Sequence, residues 1–347
     1  YRQEEKLFLA ALSSIRGLGP RRLRSLYQQT DSWQKAWEAP TFTWQNAKIP
    51  PAIQTAWQES RLSLNIEKLN ADFRQNHIEL ISENDFNYPT GFNNLKDKPL
   101  LLYAQGIWPA NGQIKITVVG SRNPSRYGEE AADRLVPDLA KAGFSIVSGL
   151  AAGLDARAHR LALSRQGHTV AILGSGLKNI YPAENIRLAK DIVSQNGLLL
   201  SEYPPRTNPL PGNFLRRNQL LAAISDITLI LEAGPQSGSM HTAKQAKMLN
   251  KKIYAVPGNI FSRHAAGCHR LIKNGAFLID SAADISGETK NPISAKEAED
   301  NLNAGEKSII ALLKEEFNSF SGLDSDEIQK RLKLDTSSVN STLSILE

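Results

Sequence analysis

The strongest constraint on the fold is an alternation that runs from residue 114 to residue 280. Short apolar runs recur there: ITVV (116–119), FSIVS (144–148), TVAIL (169–173), LLLSE (198–202), ITLIL (227–231), KIYAV (252–256) and AFLI (276–279). Stretches of helical spacing lie between them, at 127–139, 155–165, 183–195 and 242–249. Strands that are apolar throughout are buried on both faces, and strand–helix alternation builds a parallel sheet with helices on each side. The expected class is therefore α/β. In open sheets of this kind, ligands sit beyond the carboxyl ends of the strands, where strand order reverses. Those ends carry GSRNPSR, SGLAAGLD, GSGLKNIYP, SEYPP, EAGPQSGS and VPGNI. So many polar, Gly- or Pro-rich loops at one edge exceed what turns alone require.

Three segments of the alternating region hold candidate binding groups. In the first, Val119 runs into Gly120, Ser121 and Arg122 at a strand-to-helix turn. Helix-start amides, a hydroxyl and a guanidinium fork suit a phosphate. The dinucleotide fingerprint G-x-G-x-x-G is absent. The second is NFLRRN (213–218), read as a loop before helical LLAAIS. Phe214, Arg216, Arg217 and Asn218 fit single-stranded nucleic acid, ring to base face and guanidinium to phosphate. They fit equally a solvated basic turn with Phe214 in the core. The third is GPQSGSMHT (234–242), where Ser237, Gly238 and Ser239 offer hydroxyls and amides to an anion, or simply cap a helix. Lys251 and Lys252 open a strand, either as solvated flank or as a rim to the same groove.

Before the sheet, residues 4–26 read as two short helices around GLGP (17–20), followed by Arg21, Arg22 and Arg24. The pattern is that of a helix–hairpin–helix, whose turn offers amides and cations to a nucleic-acid backbone. Trp33, Trp37, Trp44 and Trp57 are spaced for the core of a small helical domain rather than for a row of base-stacking rings. Residues 281–304 are polar and read as a linker. Residues 305–347 show three helical stretches with a short turn before the third, the pattern of a helix-turn-helix or the front of a winged helix. At 347 residues two or three domains are expected.

No apolar run approaches the roughly 18 residues that span a bilayer, so no membrane partner is expected. The single cysteine, Cys268, excludes an internal disulfide framework and a thiolate metal cage, which fits a reducing cytoplasm. The net charge of +6 permits a polyanionic partner without requiring one. Asp155 and His159 lie four apart, but no third ligand is placed to complete a metal site. Asp155 is expected to cap a helix and His159 to pack or hydrogen-bond. Ser237, Ser239 and His241 lack a nucleophile elbow. No catalytic residue, metal or cofactor is expected.

The joint pattern is more specific than its parts. GSRNPSRYG, VSGLAAGLDARAH, ILGSGLKNIYPAEN, LLLSEYPP, NFLRRNQLLAAIS, LEAGPQSGSMHTA and YAVPGNI…GCHRLIKNGA resemble, in order and spacing over 88–280, the DNA-processing protein A family (DprA, also called Smf). The resemblance implies an extended Rossmann-like parallel sheet over 77–280. It also implies a sterile-alpha-motif-like helical domain over 1–76 and a partial winged helix over 305–347. It implies single-stranded DNA binding, protection of incoming strands during natural transformation and loading of the RecA recombinase, without enzymatic activity. Its DNA groove implies roles for Arg122, Phe214, Arg217, Asn218, the Ser237–Gly238–Ser239 loop and Lys251/Lys252.

Two cations found in members of that family are missing, with Pro211 and Gln219 in their places, and Leu215 stands where many members have proline. Lys178 and Arg206 are the expected substitutes. A homodimer through the apolar end of the sheet is implied too, with Leu271, Ile272, Phe277 and Leu278 at its interface. Two other classes compete. One is a nucleotide-hydrolysing enzyme of the phosphoribohydrolase type, since GPQSGSMHT resembles the loop PGGxGTxxE but lacks its glutamate. The other is a duplex-DNA regulator acting through the C-terminal helices.

Overall fold

The computed structural model describes residues 3–287, within the compact unit Tyr1–Lys290. The expected partial winged helix, and the expected linker from residue 288 onward, lie outside the described residues.

Six helices come first: α1 (Gln3–Ser13), α2 (Pro20–Thr30), α3 (Trp33–Glu38), α4 (Thr41–Asn46), α5 (Pro51–Ser63) and α6 (Ile66–Gln75). Their centre is aromatic. Trp33, Trp44 and Trp57 are at most 1% exposed. Trp44 and Trp57 stack with ring centroids 4.3 Å apart, and their indole N–H groups donate to the carbonyls of Ala36 and Trp37. The tryptophan spacing thus serves packing, as expected. The same apolar cluster continues into Leu101, Tyr103, Ala171 and Leu199 of the sheet, so the helices share a core with it.

The expected nucleic-acid face of the helix–hairpin–helix turn is occupied differently. Arg21 grips Asp97 through two hydrogen bonds of 2.6 and 2.7 Å, and Arg24 donates to Glu83 at 2.8 Å. Arg22 closes on the Gly17 carbonyl of its own turn. Arg21 and Arg24 thus dock the helices onto the rest of the chain.

The strands are β1 (Glu79–Ser82), β2 (Leu101–Gly106), β3 (Lys115–Val119), β4 (Ser145–Ser148), β5 (Thr169–Ile172), β6 (Leu198–Ser201), β7 (Ile227–Ile230), β8 (Lys252–Ala255) and β9 (Phe277–Leu278). They form one sheet in the order β1-β2-β6-β5-β4-β3-β7-β8-β9. From β6 to β9 all pairings are parallel, and β1 and β2 extend the β6 edge antiparallel. The α/β, Rossmann-like class is the observed one.

Helices α7 (Arg126–Lys141) and α8 (Leu154–Ser164) cover one face of the central strands. Helices α10 (Pro211–Ile224), α11 (Gly238–Met248) and α12 (Ala266–Lys273) cover the other, and α9 (Ile186–Ser194) joins the shared core beside the N-terminal helices. From β3 the chain crosses to β4 through α7. From β6 it returns to the far side of β3 as β7 and leaves through α11. The order therefore reverses between β3 and β7, which opens a crevice at their carboxyl ends.

The folded unit runs past residue 280. Helix α13 (Ala283–Ser286) buries Ile285 completely in the core beneath β8, where the sequence led us to expect linker. Among the described residues, no helix is long and apolar enough to cross a membrane.

Candidate nucleic-acid interface

The crevice between β3 and β7 forms a groove of about 630 Å³. Its wall on the β3 side is Gly120, Ser121, Arg122 and Asn123. Ser121 Oγ donates to the Asn123 carbonyl at 2.8 Å, and its own carbonyl accepts from Leu154 N. Gly153 makes that seat: at φ +76°, a Cβ there would stand 2.4 Å from the Ser121 oxygen. Arg122 is held outward and exposed, and no acid pairs with it among the described residues.

The β7 side is Gly234 to Ser239. Ser237 is the N-cap of α11 in position, yet its side chain caps no amide. Instead Ser237 Oγ and Ser239 Oγ hydrogen-bond each other at 2.8 Å. The simple capping role is thus not realised. Met240 N donates to the Ser237 carbonyl at 3.0 Å, and the amides before it lie at the positive end of the helix, which faces the groove. Ser239 is only 5% exposed, so Ser237 and Gly238 form the accessible part of the loop. Nothing lies within 4 Å of where a Gly238 Cβ would be, which leaves open space above it.

NFLRRN is helix, not loop: it makes up the first turns of α10. Helical spacing turns successive residues by about 100°, so the two arginines go opposite ways. Arg216 points away from the groove into a cleft of about 910 Å³ beside the N-terminal turn. There Arg216 Nε pairs with Glu202 at 3.0 Å, and the guanidinium also reaches Gln219 Oε1 and the Asp97 carbonyl. Its expected strand contact is therefore corrected: Arg216 is an internal tie.

Arg217 points under the groove floor and is 3% exposed. Its guanidinium donates to the carbonyls of Gly149 and Ile172 and to Asn218 Oδ1. A cation so enclosed does not reach a strand phosphate, which corrects the second expected contact. Asp155 lies with it, 6% exposed, accepting from the amides of Gly149, Gly120 and Ala151. Burial raises the Asp155 carboxyl above its usual range, against the opposing pull of Arg217 and those amides. Asp155 does not cap α8, as expected from sequence; Gly153 stands at the cap and Asp155 braces the loops of β3 and β4. His159 packs as expected, fully buried with Nδ1 2.7 Å from Thr169 Oγ1, and burial lowers its pKa to about 3.

Phe214 stays at the surface, half-buried. Its ring tilts against exposed Tyr181 at 5.5 Å, with the Arg122 guanidinium 5.9 Å from its centroid. A Cβ at Gly174 would stand 2.7 Å from the ring, so only glycine lets Phe214 lie there. Asn218 Nδ2 reaches the Gly238 carbonyl at 3.3 Å and ties α10 to the α11 loop. Lys251 and Lys252 rim not this groove but an adjoining cleft of about 790 Å³, which shares Pro235, Gln236 and Ser237 with it. The expected substitutes face α6 instead: Lys178 Nζ lies 2.7 Å from Asp72 and Arg206 3.9 Å from it.

The family model described as DNA recombination-mediator protein A matches residues 79–290. The chain belongs to the DNA-processing protein A family. Protein Smf of Synechocystis is 35% identical over 280 residues, 79% of this chain and 70% of the relative. DNA processing protein DprA of Bacillus subtilis is 35% identical over 225 residues, 64% of this chain and 75% of the relative. Among solved structures, DprA of Streptococcus pneumoniae superposes with a TM-score of 0.70 at 29% identity, covering 82% of this chain and 98% of that one. DprA of Helicobacter pylori, solved for its single-stranded DNA binding mode, gives 0.54 at 32%, covering 60% and 93%.

Four residues in or beside the groove of this DprA family member were missed from sequence. Tyr181 sits in a stretch that carried the family resemblance but no aromatic signal of its own. Glu232 is the acid at the end of β7; Arg263 and His264 lie in an irregular loop with no periodic pattern. Arg263 and His264 line the groove together with Arg122, and Glu232, 3% exposed, contacts His264.

The Phe214–Tyr181 pair gives a first prediction. Phe214→Ala should weaken single-strand affinity by about 1–3 kcal/mol, the scale of one base stacked on an aromatic ring, while Phe214→Tyr keeps it. Titration of a labelled oligonucleotide, with a melting curve for each variant, checks this. A large loss of stability at unchanged affinity would make Phe214 a packing residue.

Proposed function

We propose that this protein is a single-stranded DNA-binding recombination mediator that acts by binding, without a catalytic step. One observation carries the reading. An exposed, unpaired Arg122 lies beside an aromatic pair, at a groove closed by the uncapped start of α11. Cation, stacking surface and amide donors are the recurring parts of single-strand sites. The Helicobacter pylori relative, solved for its single-stranded DNA binding mode, supports it. Protection of incoming strands, loading of RecA and action in the cytoplasm are the family's role carried over to this chain.

Arg122→Ala should lower single-strand affinity by about 1–3 kcal/mol with the fold unchanged, the scale of a charge-assisted contact. Anisotropy titration measures it; wild-type affinity in the folded variant would put the strand elsewhere. The enzymatic alternative predicts free base from nucleoside monophosphates, and turnover would replace our reading. The duplex-regulator alternative rests on 305–347, outside the described residues.

A homodimer is part of the same proposal. Phe277 and Leu278 are 46% and 50% exposed on β9, the sheet's last strand. An open, uncharged edge is a surface for pairing. Leu271 and Ile272 are half-buried against the core, and Ile279 is fully buried, so the exposed contribution comes from Phe277 and Leu278. Two linked grooves raise effective affinity for a long strand. Sedimentation should show a dimer for wild type and a folded monomer for Leu278→Lys. A wild type that stays monomeric at high concentration would rule it out.

A further inference from the structure

The loop between β8 and α12 brings a histidine to the groove and backs it with a buried acid. Glu232 closes β7 and accepts from Ser125 N at 3.1 and 3.3 Å and from Ser125 Oγ. Its Oε1 also lies 3.3 Å from His264 Nδ1. The Glu232 side chain is 4% exposed and the His264 side chain 49%, so the acid is inside and the imidazole opens onto the groove. A carboxylate at Nδ1 fixes the proton there and orients the ring.

The surroundings are cationic on the groove side. Arg263 precedes His264 in the loop, and Arg122 lines the same groove. In the floor, Asp155 of α8 and Arg217 of α10 are tied to backbone groups and to each other's field. Behind the loop, Tyr127 of α7 donates to the Pro257 carbonyl, and His269 Nε2 of α12 lies 3.0 Å from the Gly258 carbonyl. Glu232 is thus the acid in contact with the ring.

We infer that His264, with Arg263, forms the third wall of the groove and contacts a strand phosphate through an imidazole N–H, the ring being held in place by Glu232. This rests on the single-strand reading above and deepens it. A ring that donates one N–H to a buried carboxylate and the other to a phosphate bonds both.

The test titrates labelled oligothymidylate at fixed pH and ionic strength, with circular dichroism confirming the fold of each variant. His264→Gln should bind about tenfold more weakly than wild type, and His264→Lys should keep most of the wild-type affinity. Arg122→Ala should be weaker as well. Wild-type affinity in a folded His264→Gln, with Arg122→Ala still showing a loss, would overturn the inference. An Arg122→Ala protein that binds as wild type would instead overturn the groove itself.

Discussion

Arg217→Ala should cost the folded protein about 3–5 kcal/mol, the scale for breaking a buried charge pair by removing one partner. Three acceptors lose their donor at once, the Gly149 and Ile172 carbonyls and Asn218 Oδ1, and Asp155 remains buried without its cation. The loops of β3 and β4 that frame the groove hang on these bonds, so strand affinity falls as a consequence of lost order. Urea denaturation should show the loss, and the melting temperature should drop by roughly 10 °C. Adding Asp155→Asn to the variant should restore part of the stability, because the uncompensated charge goes. Unchanged stability with reduced affinity would return Arg217 to direct contact with the strand.

Trp44→Ala should be as costly, about 3–5 kcal/mol, the range for large aromatic-to-alanine changes in cores. Trp44 is fully buried, stacks on Trp57 at 4.3 Å and donates to the Ala36 carbonyl. Its removal leaves a cavity in the cluster that joins the N-terminal helices to the sheet. Affinity per folded molecule should not change. A stable variant that loses strand binding would make the tryptophans a stacking row after all.

Patterns of burial were legible in the sequence, and side-chain destinations were not. The apolar runs at 116–119, 169–173 and 227–231 became β3, β5 and β7 within a residue or so, because a strand covered on both faces leaves no polar position to mislead. The crevice followed from where loops fall in such a sheet. Adjacent arginines read alike as letters, yet the helix sends Arg216 to Glu202 and Arg217 to Gly149, decisions made by acids and carbonyls far away in the chain. Lys178 was diverted to Asp72 in the same way. His264 and Glu232 meet from positions 32 residues apart, in a loop and at a strand end, so spacing carried no sign of the pair. The antiparallel extension by β1 and β2 likewise depends on pairing partners that periodicity does not name.

The central claim is that the groove between β3 and β7 binds single strands. Titration of the wild type with an unlabelled-competitor series of single-stranded and duplex oligonucleotides of one length, at about 50 and about 200 mM salt, tests it most directly. The account predicts single strands bound at least about tenfold tighter than duplex, with affinity falling roughly tenfold to twentyfold between the two salts for about three phosphate contacts. Duplex bound as tightly as single strand, or single-strand affinity indifferent to salt, would contradict it.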